Sequence, residues 1–162
     1  MNNSVIDTIL SRRSVRRYQS RQITAEQLEL LLAAACHAPS GSNSQSWLFT
    51  AVQNPEIIKT LNEEVRRGLQ SLPAQENEYP ARAAARKNSK NPDYHFCYHA
   101  PTLIIASNLA DYGNAMADCA AALENILLAA HSLGLGSCWI NQLTWLSDTD
   151  ALRDYLFSLG IP

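Results

Sequence analysis

Five stretches of the chain read as helices, and between them lie two short β-branched or aromatic runs. Val5, Ile6, Ile9 and Leu10 follow Ser4, so the pattern predicts a short first helix capped by Ser4. Thr24-Ala-Glu-Gln27 reads as a capping box, and Leu28, Leu31, Leu32 and Ala35 behind it predict a second helix to about His37, ended by Pro39. The run WLFTAV from Trp47 reads as a strand. Directly after it, Asn54 and Pro55 mark a helix start, and Ile57, Ile58, Leu61, Val65 and Leu69 carry a third helix. PTLIIAS, Pro101 to Ser107, fits an interior strand. A long alanine-rich helix is expected from about Asp111 to Leu133, with so little polar face that it calls for cover on most sides. Gly134 and Gly136 end it, SCWIN reads as a strand or extended turn, and Ser147-Asp148 caps a last helix ending at Gly160. The pattern fails between Gln70 and Asp93, where Pro73, Pro80, Pro92 and the basic residues Arg82, Arg86, Lys87 and Lys90 predict an irregular excursion or lid.

Composition narrows the picture. With 162 residues and 46% hydrophobic content, the chain builds one domain over 1–162 rather than two. A net charge of -2 and a pI near 6.1 argue against a nucleic-acid or membrane-surface coat, so neither is expected as a partner. No run approaches the roughly 20 apolar residues of a bilayer span, and MNNSVIDTIL lacks the features of a signal peptide. Cys36, Cys97, Cys119 and Cys138 have no metal-site spacing and sit among small or apolar residues, as buried thiols of a reduced, cytosolic protein would.

Against that acidic background, SRRSVRRYQS places Arg12, Arg13, Arg16 and Arg17 in six positions. Two uses remain open on the residues alone. One is a solvated helix end; the other is an anion clamp in which guanidinium forks and the Ser14 hydroxyl converge on a phosphate. The loop PSGSNSQSW offers Ser, Asn and Gln groups with no bulk, which suits a flat polar heterocycle. His37, His95, His99 and His131 lack HExxH spacing, so no metal site is expected. Ser40, Ser42 and Ser44 form no G-x-S-x-G elbow, and Gly134 to Ser137 follows a helix rather than a strand, unlike a dinucleotide fingerprint.

Taken in order, RRSVRRY, APSGSNSQSWLF, YHAPTLIIAS and DCAAALENILLAAHSLGLGSCWI resemble the nitroreductase family of flavin enzymes over nearly the whole chain. The resemblance implies an α+β fold with a central mixed or antiparallel sheet packed by helices. It also implies a homodimer with FMN at the subunit interface. On that basis Arg12, Arg13, Ser14 and Arg16 would hold the FMN phosphate, with Arg17 outside the contact set. Pro39, Ser40, Gly41 and Asn43 of the partner subunit would line the ring and ribityl chain, while Gln45 and Trp47 hold the loop. Trp139, Ile140 and Asn141 would pack on the ring and offer a backbone N–H to flavin N5. No catalytic side chain is expected, because the flavin carries the chemistry. NAD(P)H would be the co-substrate and a small electron-poor molecule, a nitroaromatic or quinone, the acceptor, with the two alternating in a ping-pong mechanism. A flavin binder without turnover, or a flavin-fragmenting or dehalogenating relative, are the alternatives. Members of the family continue past a segment like LGIP, so the resemblance further implies a sheet without its last C-terminal strand here.

Overall fold

The computed structural model describes residues 3–162, in which seven α-helices and two strands alternate with irregular connections. Helix α1 (Ser4–Ser11) is capped by Asn3 rather than by Ser4: the Asn3 Oδ1 accepts from the Val5 and Ile6 N–H groups at 3.0 and 3.3 Å. Helix α2 (Ala25–Cys36) begins with the expected capping box. Gln27 N–H donates to Thr24 Oγ1 at 3.1 Å, and Thr24 N–H donates to Gln27 Oε1 at 3.0 Å. Strand β1 (Leu48–Val52) leads into α3 (Pro55–Ser71), where the Asn54 cap and Pro55 stand as expected.

The segment 70–93 departs from the expected irregularity, because α4 (Pro80–Asn88) lies within it. Its only aliphatic side chains besides Pro80 are alanines, so the sequence shows no stripe of large apolar residues there. Two of its anchors are polar: Arg86 donates to Glu78 at 2.9 Å, and the Ser89 carbonyl, on a fully buried residue, accepts from Gln70 of α3 at 2.7 Å.

Strand β2 (Leu103–Ser107) pairs antiparallel with β1, Leu48 opposite Ser107 and Val52 opposite Leu103. Side chains alternate across this two-stranded ribbon and so join two cores. Leu103 and Ile105 pack with Leu61, Val65, Leu69, Phe96 and Leu152, whereas Phe49 and Ile104 face the cluster of Leu31, Ala35, Ala122, Ile126 and Ala130. That second core lies between α2 and α5 (Ala115–Ser132), where small side chains let the helices approach closely. Of the two readings of SCWIN, the strand fails and the extended turn stands, its pairing limited to a parallel bridge between Ser137 and Ser14. A four-residue helix, α6 (Gln142–Trp145), follows it unannounced by the sequence, and α7 (Asp150–Ser158) starts behind Thr149 rather than at Ser147-Asp148. Of the four cysteines, all free, Cys97 is buried but Cys36 is exposed, so the expectation of buried thiols fails at Cys36. Among the described residues no helix is long and apolar enough to cross a membrane.

Candidate functional site

Helix α1 delivers the arginine stretch to a position beside the end of α5. The chain leaves the helix at Arg12, runs extended through Ser14, and docks when Val15 N–H donates to the Ser137 carbonyl at 2.9 Å. Gly136 permits this approach: a Cβ there would come within 2.9 Å of Val15 Cγ1. The residues 12–16 and the turn 137–141 are thereby laid side by side.

Within the stretch the side chains divide. Arg13 folds back to donate to the Leu10 and Arg12 carbonyls, both at 2.8 Å, and so closes the C-terminus of α1. The Arg12 Nε stands 4.0 Å from Glu124 of α5. Arg16 lies over Tyr98, its guanidinium carbon 5.9 Å from the ring centroid, and donating a hydrogen bond to Tyr98 raises its already high pKa. Arg16 and Arg17 line an open cleft of about 600 Å³ together with Tyr18, Tyr94, His95, Tyr98 and others. Burial pushes the Tyr18 phenol up to about 12, so it is a neutral donor, and it donates to the Val15 carbonyl at 2.7 Å.

The floor of that cleft carries two stacked-off imidazoles. His95 and His99 have ring centroids 4.2 Å apart, and burial, reinforced by the His99 charge, lowers the His95 pKa to about 4. His95 Nδ1 accepts from the His99 N–H at 3.3 Å, which steadies a turn where Tyr98 and His99 both adopt left-handed φ, 56° and 59°.

The turn 139–141 is open to a ligand. Trp139 is 39% exposed and donates from Nε1 to Asn141 Oδ1 at 2.7 Å. Among the described residues, the backbone N–H groups of Trp139, Ile140 and Asn141 meet no protein acceptor. Gln142, next in the chain, is buried and donates to the Tyr94 hydroxyl at 3.3 Å.

The loop from Pro39 to Gln45 lies elsewhere. It forms a 3-10 turn over Gly41–Asn43, and Ser42, Asn43 and Gln45 adopt left-handed φ of 52°, 54° and 48°. Such geometry costs about 1–2 kcal/mol for a residue with a Cβ, less for asparagine, so something must hold it. Ser40 Oγ accepts from the Gln45 N–H at 3.1 Å, and Trp47 packs near Phe49 in the second core, so Ser40 and Trp47 anchor the loop. The larger anchor is Asp118, 5% exposed near the start of α5, which accepts from the Gly41 N–H at 3.1 Å and from the Tyr112 hydroxyl at 3.0 Å. Gly41 is small for the sake of this corner, since a Cβ would meet the Tyr112 hydroxyl at 2.5 Å and would also strike the Asn114 amide.

Helix α5 thus separates the two groups of residues. Its N-terminal end holds Gly41 through Asp118, while near its C-terminal end His131 Nε2 lies 2.8 Å from the Ser11 hydroxyl. Thirteen residues of helix between Asp118 and His131 amount to roughly 20 Å. The structure therefore unites Arg12, Ser14 and Arg16 with Trp139–Asn141 but leaves Pro39, Ser40, Gly41 and Asn43 of the same chain at the far end. Sequence reasoning missed Tyr98, Tyr112, Asp118 and Gln142. Of these, Asp118 carried a signal, as an acidic residue set in a run of alanines.

The polar donors fit a flat heterocycle joined by an aliphatic chain to a phosphate, as in FMN: cationic forks at one end, unpaired backbone N–H groups at the other. The description "Nitroreductase family" belongs to a family model that matches residues 9–158. A curated relative from Archaeoglobus fulgidus, named "Putative NADH dehydrogenase/NAD(P)H nitroreductase", is 38% identical over 154 residues, 95% of this chain and 75% of the relative. Another from Bacillus subtilis, named "FMN reductase (NADPH)", is 27% identical over 161 residues, 97% of this chain and 63% of the relative. Among solved structures, a nitroreductase with bound FMN from Bacteroides fragilis is 42% identical with a TM-score of 0.89, over 99% of this chain and 82% of that one.

Proposed function

Because the chain belongs to the Nitroreductase family, we propose that it is an FMN-dependent oxidoreductase, taking hydride from NAD(P)H and passing it to a nitroaromatic or quinone. The observation that carries this reading is the bridge between Ser14 and Ser137, which sets an anion-binding stretch against a turn with free backbone donors. Arg12, Ser14 and Arg16 would hold the phosphate, and the N–H groups of Trp139–Asn141 would face the ring. Bound FMN supplies a centre that accepts and releases hydride, so no side-chain nucleophile or general base is required. The chain's own residues bind and orient. Purified protein should show flavin absorbance and oxidise NAD(P)H only when an acceptor is added; a colourless protein that binds no added FMN would reject the reading.

Two half-sites at opposite ends of α5 point to a homodimer in which each site is closed by the partner's 39–43 loop. The apolar surface supports this: Val5 and Leu10 of α1 are 62% and 67% exposed, and α1 buries no residue at all. Light scattering should give twice the chain mass across the concentration range. A monomer that still takes up FMN stoichiometrically would show that one chain completes the site.

If NAD(P)H and acceptor both stack on the one exposed face of the flavin, each should exclude the other. Initial rates at varied concentrations of both should then give parallel double-reciprocal lines. Intersecting lines would mean a ternary complex. Gly41→Trp is expected to abolish turnover by expelling the loop from Tyr112 and Asn114, with phosphate contacts at Arg12 and Arg16 spared.

A further inference from the structure

Asp118 is a carboxylate in a helix whose other buried residues are apolar, and every hydrogen bond it accepts comes from one loop or from the corner that touches that loop. The Gly41 N–H lies 3.1 and 3.2 Å from its two oxygens. Tyr112 donates to it at 3.0 Å while standing 3.0 Å from both the Gly41 carbonyl and the Ser44 hydroxyl, and Ser44 itself is 3.5 Å from Asp118 Oδ2. This clasp closes on the stretch where Ser42, Asn43 and Gln45 are left-handed, a conformation those side chains disfavour unless held. An alternative role as a general acid or base has no support, because the carboxylate is buried behind Tyr112 and points into the loop's backbone rather than into a cleft.

We propose that Asp118, with Tyr112 as its bridge, is the positioning residue for the flavin ring bound by the other subunit: it fixes the 40–45 loop that is presented across the dimer. The proposal rests on the FMN reading above and adds to it a residue that touches no flavin. Loop rigidity matters for binding because a loop that must be ordered on contact subtracts its ordering cost from affinity.

The test uses Asp118→Asn, which keeps the shape and one acceptor oxygen, and Tyr112→Phe, which removes only the bridge. Each should speed amide exchange at residues 40–45 in the FMN-free protein, leave the melting cooperative, and weaken FMN binding about tenfold. A heterodimer then decides in whose service the loop stands. Co-expressed from two differently tagged genes, an Arg16→Ala chain and an Asp118→Asn chain should recover one FMN site of wild-type affinity per heterodimer. The Asp118→Asn chain keeps its own arginine clamp and receives an intact loop from its partner, while the second site carries both lesions. Wild-type affinity in the Asp118→Asn homodimer, or a heterodimer with no tight site, would overturn the proposal. If Arg16→Ala alone also leaves FMN affinity unchanged, the failure belongs to the clamp and hence to the FMN reading.

Discussion

Arg16→Ala is expected to raise the FMN dissociation constant tenfold to a hundredfold with folding intact. A charge-assisted hydrogen bond contributes roughly 1.5–3 kcal/mol, and each 1.4 kcal/mol is a factor of about ten in affinity. The structure explains why the fold should survive. Arg16 is exposed, its contact is the face and hydroxyl of Tyr98, and such an exposed cation–π pair contributes only about 0.5–1 kcal/mol. Removing it strands no buried charge. Arg13→Ala supplies the contrast, since Arg13 already donates to the carbonyls of Leu10 and Arg12 and should matter less to FMN than to the end of α1. Fluorescence titration of FMN into apo wild type and both variants measures the effect. Equal dissociation constants for wild type and Arg16→Ala would remove Arg16 from the phosphate site.

The elements that could be read from the sequence are those whose determinants are local. The Thr24–Gln27 box and the Asn54-Pro55 start satisfy backbone donors within four residues, so α2 and α3 begin where the residues say. Helix α4 is different in kind. Its apolar side chains are alanines and one proline, and what pins it is Ala85 in the first core and the Ser89 carbonyl meeting Gln70 of α3, contacts that exist only after the chain has folded back, together with the local pair of Glu78 and Arg86. SCWIN has strand-like residues but meets a single neighbour at Ser14, so its propensity finds little ladder to join. The candidate site shows the same division. Residue type alone leaves the arginines open between a solvated helix end and an anion clamp; a flavin phosphate follows only from the order of the four blocks and the family they resemble. That the loop sits a helix-length away from the arginines depends on the packing of α5 against α2. The Asp118–Gly41 contact, spanning 77 positions, has no local trace either.

Acid should destabilise this protein through His95 by about 2–3 kcal/mol between pH 6.5 and 4, beyond the general effect of its other groups. The sign follows from proton counting. In the unfolded chain His95 titrates at its ordinary value of 6.5, whereas in the fold burial lowers it to about 4. Between those values the unfolded state binds more protons, so stability rises with pH in that window and is lost as pH falls through it. Above pH 6.5 the ring is neutral in both states and contributes no slope. Each pH unit of displacement corresponds to about 1.4 kcal/mol, which sets the size before allowance for partial exposure. The geometry supplies the local cause: a proton on Nδ1 would remove the acceptor for the His99 N–H and place a charge against the neighbouring imidazole, 4.2 Å away. His95→Asn keeps a side-chain acceptor near that N–H without the titration. Urea unfolding of wild type and His95→Asn at half-unit steps from pH 7.5 to 4 should give stability curves that are parallel above 6.5 and diverge below it, the wild type falling faster. Curves that stay parallel throughout would show that His95 carries its proton equally well in both states. Because the turn that His95 steadies also presents Tyr98 to Arg16, the FMN dissociation constant of the wild type should rise over the same pH window, and rise less in His95→Asn.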